Sequence, residues 1–284
     1  MTKQFYKTNE QINKVYFDAA AWGMMYYIKM YDVIRENSGV GKRFSDKITY
    51  YGTSSGAIYV MMICIGMSSA EIIKLYDKYS EETIHKLVNF DYENSISYYQ
   101  IQIMNSIIEK YPDAYEKMNS TDCHIGITLK NSGFRWISNF ESNVDLINCL
   151  LCSVHIPQVS TYNAQYKGEI AMDGGAAYNV DLFFPEKSKS PNKTVLTVTT
   201  VSNPNYDLYP GLSQLYRLIP SRRNTRHYWM TRGETDLTNI IKGNYKQIYT
   251  SVNSLFLSLP IDWFWFVRSV QSIEYSIDDL INNK

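Results

Sequence analysis

Residues 47–66 read KITYYGTSSGAIYVMMICIG. Residues 47–51 are rich in β-branched and aromatic types, which is typical of a buried strand. Residues 57–65 are apolar throughout and are followed by Gly66, as in a buried helix. Between them, Gly52, Ser54 and Gly56 form a Gly-x-Ser-x-Gly pentapeptide. In a sharp strand-to-helix turn this pattern holds the serine hydroxyl above the sheet, at the positive end of the helix. The competing interpretation is an ordinary serine-rich turn.

The composition is that of a globular protein with a sizeable core. Of the 284 residues, 45% are apolar and 20% are charged, and no internal repeat, low-complexity segment or long Pro/Gly linker divides them. We therefore expect a single domain over residues 1–284. Its 28 basic residues are balanced by 28 acidic ones, so the chain lacks the basic footprint of a nucleic-acid-binding protein, and no nucleic-acid partner is expected.

The cysteines indicate a reducing compartment. Cys149 and Cys152 have CxxC spacing, but no second pair completes a zinc site. Their apolar neighbours predict buried packing thiols in preference to a redox pair. The N-terminus lacks the apolar core of a signal peptide. A cytoplasmic location is expected on both grounds.

No uncharged run reaches the roughly 18 residues of a membrane-spanning helix. The nearest run, residues 254–267, contains Pro260 and Asp262. Its aromatic cluster at 263–266 suits either a core segment that closes the domain or a membrane interface. Peripheral contact with a membrane or lipid surface is thus left open, although no basic amphipathic helix marks a docking face.

The remaining pattern alternates strands with helices, which predicts a largely parallel sheet covered on both faces. A Ser68–Glu71 capping box begins one of the helices, and Lys130–Gly133 predicts a hairpin turn. Strands are predicted at 14–17, 47–51, 124–129, 134–138 and 194–201. Helices are predicted at 24–37, 57–66, 68–79, 143–151, 208–218 and 235–258, with an irregular helical region at 81–120 broken near Pro112.

A serine nucleophile needs a base and an oxyanion site. The chain has four histidines. His85 lies in a charged helix, His124 begins a strand, and nothing positions His155. Only His227 follows the Ser…Asp…His order of an α/β-hydrolase triad, and it stands in a basic stretch. A triad esterase that uses His227 is therefore the weaker alternative.

The stronger candidate base is Asp173, which is followed by Gly174 and Gly175. Two glycines allow a tight loop that holds the carboxylate close to another part of the backbone. If Asp173 contacts Ser54, the pair can act as a dyad, in which the carboxylate takes the hydroxyl proton and later activates water. Alone, Asp-Gly-Gly is an ordinary turn signal; with the Ser54 turn, it predicts a catalytic base.

Together these motifs resemble the patatin-like phospholipase family, especially the branch that includes adipose triglyceride lipase and adiponutrin. The resemblance covers about residues 12–220. The similar blocks are 17–28 (first strand, oxyanion loop and helix), 52–57 (nucleophile turn), 150–157 (small residues before Ile-Pro), 172–175 (Asp-Gly-Gly) and 178–180 (the exit of that loop).

The resemblance implies a three-layer α/β/α sandwich with a mainly parallel central sheet, followed by a helical C-terminal part at about 221–284. It also implies hydrolysis of a lipid acyl ester, of phospholipid or acylglycerol, through a covalent acyl-serine. Ser54 would be the nucleophile and Asp173 the general base. The expected partner is the lipid substrate, and no metal or organic cofactor is implied.

One block departs from the family pattern. The family's oxyanion loop is rich in glycine, whereas this chain has Ala19, Ala20 and Ala21 after Asp18. Their backbone N–H groups, with that of Ser55, are the predicted oxyanion donors. Alanine supplies the N–H but lacks glycine's easy access to positive φ. A catalytically weak or inactive lipid- or protein-binding module is therefore the alternative function.

Overall fold

The computed structural model describes residues 11–88, 95–156, 160, 162–176, 194–201, 206–212 and 220–243. Some sequence predictions lie wholly or partly outside these residues: the aromatic cluster at 263–266, the motif block at 178–180, the last residue of the block at 150–157, and parts of the helical regions at 81–120, 208–218 and 235–258.

Seven strands form the sheet of the described residues: β1 Ile12–Phe17, β2 Phe44–Thr53, β3 Cys123–Leu129, β4 Gly133–Ile137, β5 Gln165–Tyr166, β6 Glu169–Met172 and β7 Val195–Val198. Hydrogen-bonded pairing connects them along the path β5-β6-β3-β2-β1-β7, and β4 pairs with β3 off this path. β1 lies parallel between β2 and β7, and β2 is parallel to β3. The β3–β4, β3–β6 and β5–β6 pairs are antiparallel. The sheet is therefore mixed, where the sequence predicted a mainly parallel one.

The predicted three-layer α/β/α architecture is confirmed. The α-helices are α1 Met30–Glu36, α2 Ser55–Cys64, α3 Ser69–Val88, α4 Ser95–Lys110, α5 Ala114–Ser120, α6 Asn143–Ser153 and α7 Arg223–Ile241. Short 3₁₀ helices occupy Ala21–Tyr26 and Gly174–Ala176. Among the described residues, no helix is both long and apolar enough to cross a bilayer.

Local sequence explains where the helices begin. The predicted capping box is confirmed, because the Glu71 carboxylate accepts a hydrogen bond from the Ser68 N–H at 2.9 Å and the Glu71 N–H donates to Ser68 Oγ at 3.3 Å. Ser142 caps α6 by accepting from the Asp145 N–H at 3.2 Å. In α2, residues 55–63 are all buried, which explains why that helix is apolar on every face.

Two predicted helices have different bounds in the structure. The helix predicted at 24–37 is interrupted: the Ala21–Tyr26 3₁₀ helix comes first, and α1 begins only at Met30. Tyr76 of α3 donates a hydrogen bond to the Trp22 carbonyl, which holds this turn in its own position. The helix predicted at 235–258 begins earlier, at Arg223. It does so because Arg226 is buried against the acidic side chains of α3.

The prediction of a helix at 208–218 is wrong for residues 208–212. These residues extend along the end of β7, since Leu208 forms a bridge with Val198 and the Leu212 N–H donates to the Thr200 carbonyl at 2.8 Å. The backbone N–H and carbonyl of Leu208 are bonded to Thr197 and Thr199, so they are not free to form helical hydrogen bonds.

The predicted burial of the CxxC pair is confirmed. Cys149 and Cys152 are both 0% exposed within α6. Burial raises the pKa of Cys149 well above its usual range and that of Cys152 to about 12. Both side chains are therefore protonated, unreactive thiols at neutral pH.

Candidate active site

Ser54 occupies a strained turn between β2 and α2. Its φ is 54° and its ψ is −130°, a region that residues other than glycine rarely adopt. A Cβ on Gly52 would lie 2.5 Å from the Gly56 carbonyl oxygen, and one on Gly56 would overlap the Phe17 carbonyl. The two glycines of the motif thus permit the close backbone approach that the turn requires. Such a conformation costs about 1–3 kcal/mol and persists only where its surroundings hold it.

Ser153, at the end of α6, supports this turn. Its Oγ accepts a hydrogen bond from the Ser54 N–H at 2.9 Å and donates one to the Gly126 carbonyl at 2.7 Å. Ser153 is 0% exposed, so it supports the serine without reaching solvent. In the sequence, Ser153 stands out only as one of the small residues before Ile-Pro, and no role was predicted for it. A lone hydroxyl closing an apolar helix was the signal available.

The strand register brings the Ser54 and Asp173 segments together. β2 and β4 both pair with β3 at Ile125 and Gly126, and β4 and β6 both pair with it at Thr128 and Leu129. Because a strand has one neighbour on each side, β2 and β6 must lie on the same side of β3.

On that side, the two strands end close together. β2 ends with Thr53 opposite Gly126, and β6 ends with Met172 opposite Thr128. The two strands run in opposite directions, so Ser54 and Asp173 leave them toward the same point, at the level of Ile127. The two motifs are 119 positions apart in the sequence, and β3 is the element that brings them together.

The Asp173 turn is fixed by backbone hydrogen bonds. The Asp173 N–H donates to the His155 carbonyl at 2.8 Å, and the Gly175 N–H donates to Asp173 Oδ1 at 2.7 Å. A Cβ on Gly174 would overlap the Gly126 carbonyl, which is also the acceptor for Ser153. A Cβ on Gly175 would lie 3.0 Å from the Ala19 Cβ. The turn therefore packs between the support of Ser54 and the alanine loop.

A tyrosine lies within electrostatic range of the Asp173 carboxylate. Burial raises the pKa of the Tyr162 hydroxyl, and the Asp173 charge adds a smaller increase. That hydroxyl lies 3.0 Å from Gln100 Oε1 and 3.1 Å from the Leu151 carbonyl, and its single proton can serve either acceptor. Tyr162 is therefore a neutral group that helps to hold the segment before Asp173 against α4 and α6.

The alanine loop adopts a backbone that favours glycine at one position. Ala21 has a φ of 47°, whereas Ala20 has a φ of −134°. The Ala20 N–H donates to Ser55 Oγ at 3.1 Å, so in this conformation it is not available to an oxyanion. Within the described residues, no hydrogen bond is formed by the N–H of Ala21 or of Ser55. Of the predicted donors, these two amides are therefore unbonded within the described residues in this conformation.

A partly buried hydroxyl–carboxylate network joins the carboxyl ends of β1, β2 and β7. Asp18 accepts from the Tyr16 hydroxyl at 2.6 Å through Oδ1 and from the Thr199 hydroxyl at 2.9 Å through Oδ2. The Tyr16 hydroxyl also lies 2.8 Å from Thr53 Oγ1, directly before Ser54. The network holds the start of the alanine loop beside the Ser54 turn. Ligand sites of open α/β sheets commonly lie at this edge.

No histidine side chain in the described residues forms a hydrogen bond with Ser54. His227 Nε2 lies 3.1 Å from Asp77 Oδ2 of α3, and the His124 ring stacks on Tyr51 with centroids 4.6 Å apart. His155 bonds to Asp173 only through its carbonyl, and burial lowers the pKa of its imidazole. In the same ranges, no three His, Cys, Asp or Glu side chains are grouped to hold a metal ion.

No family model matches the chain, and no curated protein matches it. Among solved structures, the chain is similar to the type III effector protein ExoU, with a TM-score of 0.42 and 11% identity. The match covers 84% of this chain and 54% of that one, so the chain spans about half the length of the effector. The patatin-like resemblance, and the adipose triglyceride lipase/adiponutrin branch in particular, stay predictions from the sequence motifs.

Proposed function

We propose that the chain is a lipid acyl-ester hydrolase with Ser54 as nucleophile and Asp173 as general base. The observation that carries this proposal is the Ser54 turn, in which a non-glycine residue is held at a φ of 54° between a strand and a buried helix. Strained backbone of this kind concentrates at functional sites. The Asp173 turn, which leaves β6 toward the same point, supplies the only carboxylate of the two motifs.

In the proposed reaction, the Asp173 carboxylate takes the Ser54 hydroxyl proton as Oγ forms a bond to the ester carbonyl carbon. The N–H groups of Ala21 and Ser55 stabilise the oxyanion of the tetrahedral intermediate. The ester C–O bond then breaks, the alcohol leaves with the proton from Asp173, and an acyl-serine remains. Asp173 next takes a proton from water, which attacks the acyl-serine. Release of the fatty acid returns the proton to Ser54.

The lipid substrate class rests on the motif resemblance. The two candidate substrates are phospholipid and acylglycerol. Because both are found in lipid surfaces, either substrate implies peripheral binding of the chain to such a surface. We also propose a cytoplasmic location, which the four free cysteines support because thiols stay reduced in that compartment.

The test is covalent labelling with a fluorophosphonate, followed by intact mass measurement of the folded chain. We expect one label on the wild type and none on Ser54→Ala or Asp173→Asn. Ser80→Ala is the matched serine control, because Ser80 is also buried but lies on α3, and it should label normally. Release of fatty acid from phosphatidylcholine vesicles and from a triacylglycerol emulsion then identifies the substrate. A folded wild type that takes no label contradicts the proposal.

A catalytically silent lipid-binding module is the second candidate, and one contact favours it. The Ala20 N–H is bonded to Ser55 Oγ, which removes a predicted oxyanion donor, and loss of one such donor costs about 10²–10³ in rate. If this is the function, the wild type takes no fluorophosphonate label but binds lipid vesicles, and Ser54→Ala binds them equally well.

A further inference from the structure

Helix α7 packs directly against the 3₁₀ helix that continues the alanine loop. The two backbones approach closely at Gly233 of α7 and Tyr26, the last residue of that 3₁₀ helix. A Cβ on Gly233 would overlap the Tyr26 carbonyl and lie 3.2 Å from the Met30 side chain. Gly233 has no positive φ to explain it; here the glycine serves the close approach of two backbones.

A buried hydrogen bond fixes the same contact. The Tyr26 hydroxyl donates to Asp236 Oδ2 at 2.8 Å, and both residues are almost fully buried. Arg232 Nε lies 2.8 Å and 2.9 Å from the two Asp236 oxygens. The carboxylate is therefore held by a charged partner on its own helix, and its orientation is set before Tyr26 binds.

The other end of the 3₁₀ helix is held by α3. Tyr76 donates a hydrogen bond to the Trp22 carbonyl. Buried Arg226 of α7 joins the two supporting helices, because its Nε lies 2.9 Å from Asp77 and its Nη2 lies 2.5 Å from Glu81, both on α3. We call Tyr76, Arg226, Gly233 and Asp236 the α3–α7 clamp.

The clamp is connected to the loop that carries the oxyanion donors. The 3₁₀ helix begins at Ala21, whose φ is 47°, and it is followed by Tyr27, whose hydroxyl donates to the Asp18 carbonyl at 3.1 Å. Left-handed backbone is strained for alanine, so the flanking segments must hold Ala21 there. The clamp contacts both ends of the 3₁₀ helix, through Tyr76 at Trp22 and through Gly233 and Asp236 at Tyr26.

We infer that α7 positions the oxyanion loop, with Tyr26 and Gly233 as positioning residues. The inference rests on the proposed function, and it assigns a role in the reaction to a helix beyond the residues that resemble the patatin-like family. Tyr26 and Gly233 do not touch the substrate; they set the direction of the Ala21 N–H through the 3₁₀ helix.

The test compares Tyr26→Phe with Tyr79→Phe. Tyr79 is also a buried tyrosine, and its hydroxyl bonds to Ser106 away from the loop. Each variant loses one hydroxyl and keeps its ring. Hydrogen exchange of the backbone amides at 18–27 is measured alongside the rate constant of fluorophosphonate labelling. For a soluble 4-nitrophenyl ester, kcat and KM are measured separately.

For Tyr26→Phe we expect faster exchange at 21–26, an about tenfold lower labelling rate and kcat, and an unchanged KM. Tyr79→Phe should match the wild type in all of these. If Gly233→Ala folds, its labelling rate and kcat should fall further than those of Tyr26→Phe. Wild-type exchange and labelling in Tyr26→Phe overturn the inference. If the wild type takes no label, the hydrolase proposal fails. In that case, hydrogen exchange in Tyr26→Phe tests the role of the clamp. Faster exchange of the amides at 21–26 supports that role, and an unchanged exchange rate overturns it.

Discussion

The Ser153 hydroxyl oxygen lies 2.9 Å from the backbone nitrogen of Ser54 and accepts its hydrogen. Because Ser153 also donates to the Gly126 carbonyl, a change to alanine leaves a buried donor and a buried acceptor unpaired. We expect Ser153→Ala to lower the free energy of unfolding by about 2 kcal/mol, measured by urea denaturation. The Ser54 turn also loses a contact that opposes its strain, so fluorophosphonate labelling should slow.

Ser80→Ala is the control for this prediction. Ser80 is likewise 0% exposed, but its hydroxyl has no hydrogen-bond partner in the part of the chain that the structure describes. Its loss should change stability little. Equal destabilisation by the two variants would show that the Ser153 hydrogen bonds do not contribute to stability as expected.

Gly174 and Gly175 are adjacent, yet they should respond differently to alanine. A Cβ on Gly174 meets the rigid Gly126 carbonyl, whereas one on Gly175 meets the Ala19 methyl at 3.0 Å and Asp173 Oδ1 at 3.1 Å. We expect Gly174→Ala to cost about 3 kcal/mol or more, as overpacking against backbone does, and Gly175→Ala to cost clearly less. Urea denaturation of both variants measures the difference, and an equal cost contradicts the packing described for this turn.

Glu71 should make stability depend on pH in the acid range. Its hydrogen bond with Lys110, followed by those with Ser68, lowers the pKa of the carboxyl from 4.5 to about 2. Because the folded pKa is the lower one, the unfolded chain binds the proton first. The stabilisation is therefore complete above about pH 4.5 and is lost as the pH falls toward 2. Glu71→Gln keeps a capping side chain but removes this dependence.

The measurement is the difference in unfolding free energy between wild type and Glu71→Gln from pH 7 to pH 2. All other carboxyl groups titrate in both proteins and cancel. The difference should be constant at neutral pH and vanish near pH 2. A difference that does not change with pH would contradict the lowered pKa of Glu71.

The sequence predicted the elements with strong local signals. The pentapeptide at 52–56 and the capping box at Ser68 both depend on neighbouring residues, and both are found where they were predicted. The hairpin around Lys130–Gly133 is also confirmed, with Gly133 at a φ of 71°. In each case a few adjacent side chains determine the backbone.

Features set by distant contacts were not predictable. Arg226 looks like part of a basic surface stretch, but Asp77 and Glu81, almost 150 positions earlier, bury it and place α7. The antiparallel direction of β6 depends on its pairing with β3, and no local pattern encodes that. The role of Ser153 depends on the position of the end of α6 beside the Ser54 nitrogen, which the sequence does not indicate.

His227 gives a direct test of the triad alternative. Its imidazole lies 3.1 Å from Asp77 on α3 and is about half exposed, in a cluster with Arg223 and Arg226. We expect His227→Ala to retain wild-type labelling and to change the unfolding free energy by no more than about 0.5 kcal/mol, as surface substitutions do. Loss of labelling in a folded His227→Ala protein would restore the triad and displace Asp173 as the sole base.

Ala21→Gly tests whether the alanine loop limits the reaction. At a φ of 47°, Ala21 is in the left-handed region, where glycine avoids about 1–2 kcal/mol of strain and loses about 0.5–1 kcal/mol to chain entropy. We expect a net gain in stability of about 0.5–1 kcal/mol. Ala20→Gly is the matched control, since Ala20 has a φ of −134°, and there the entropy loss alone should destabilise the fold.

The labelling rate of Ala21→Gly should equal that of the wild type. Alanine already holds the backbone that glycine would adopt, and the α3–α7 clamp fixes the 3₁₀ helix that follows, so glycine adds no new direction for the Ala21 N–H. A rate gain of about tenfold or more would mean that the methyl group itself keeps the donor out of place. The alanine loop would then be the reason for a weak enzyme, and the clamp would not compensate for its missing glycines.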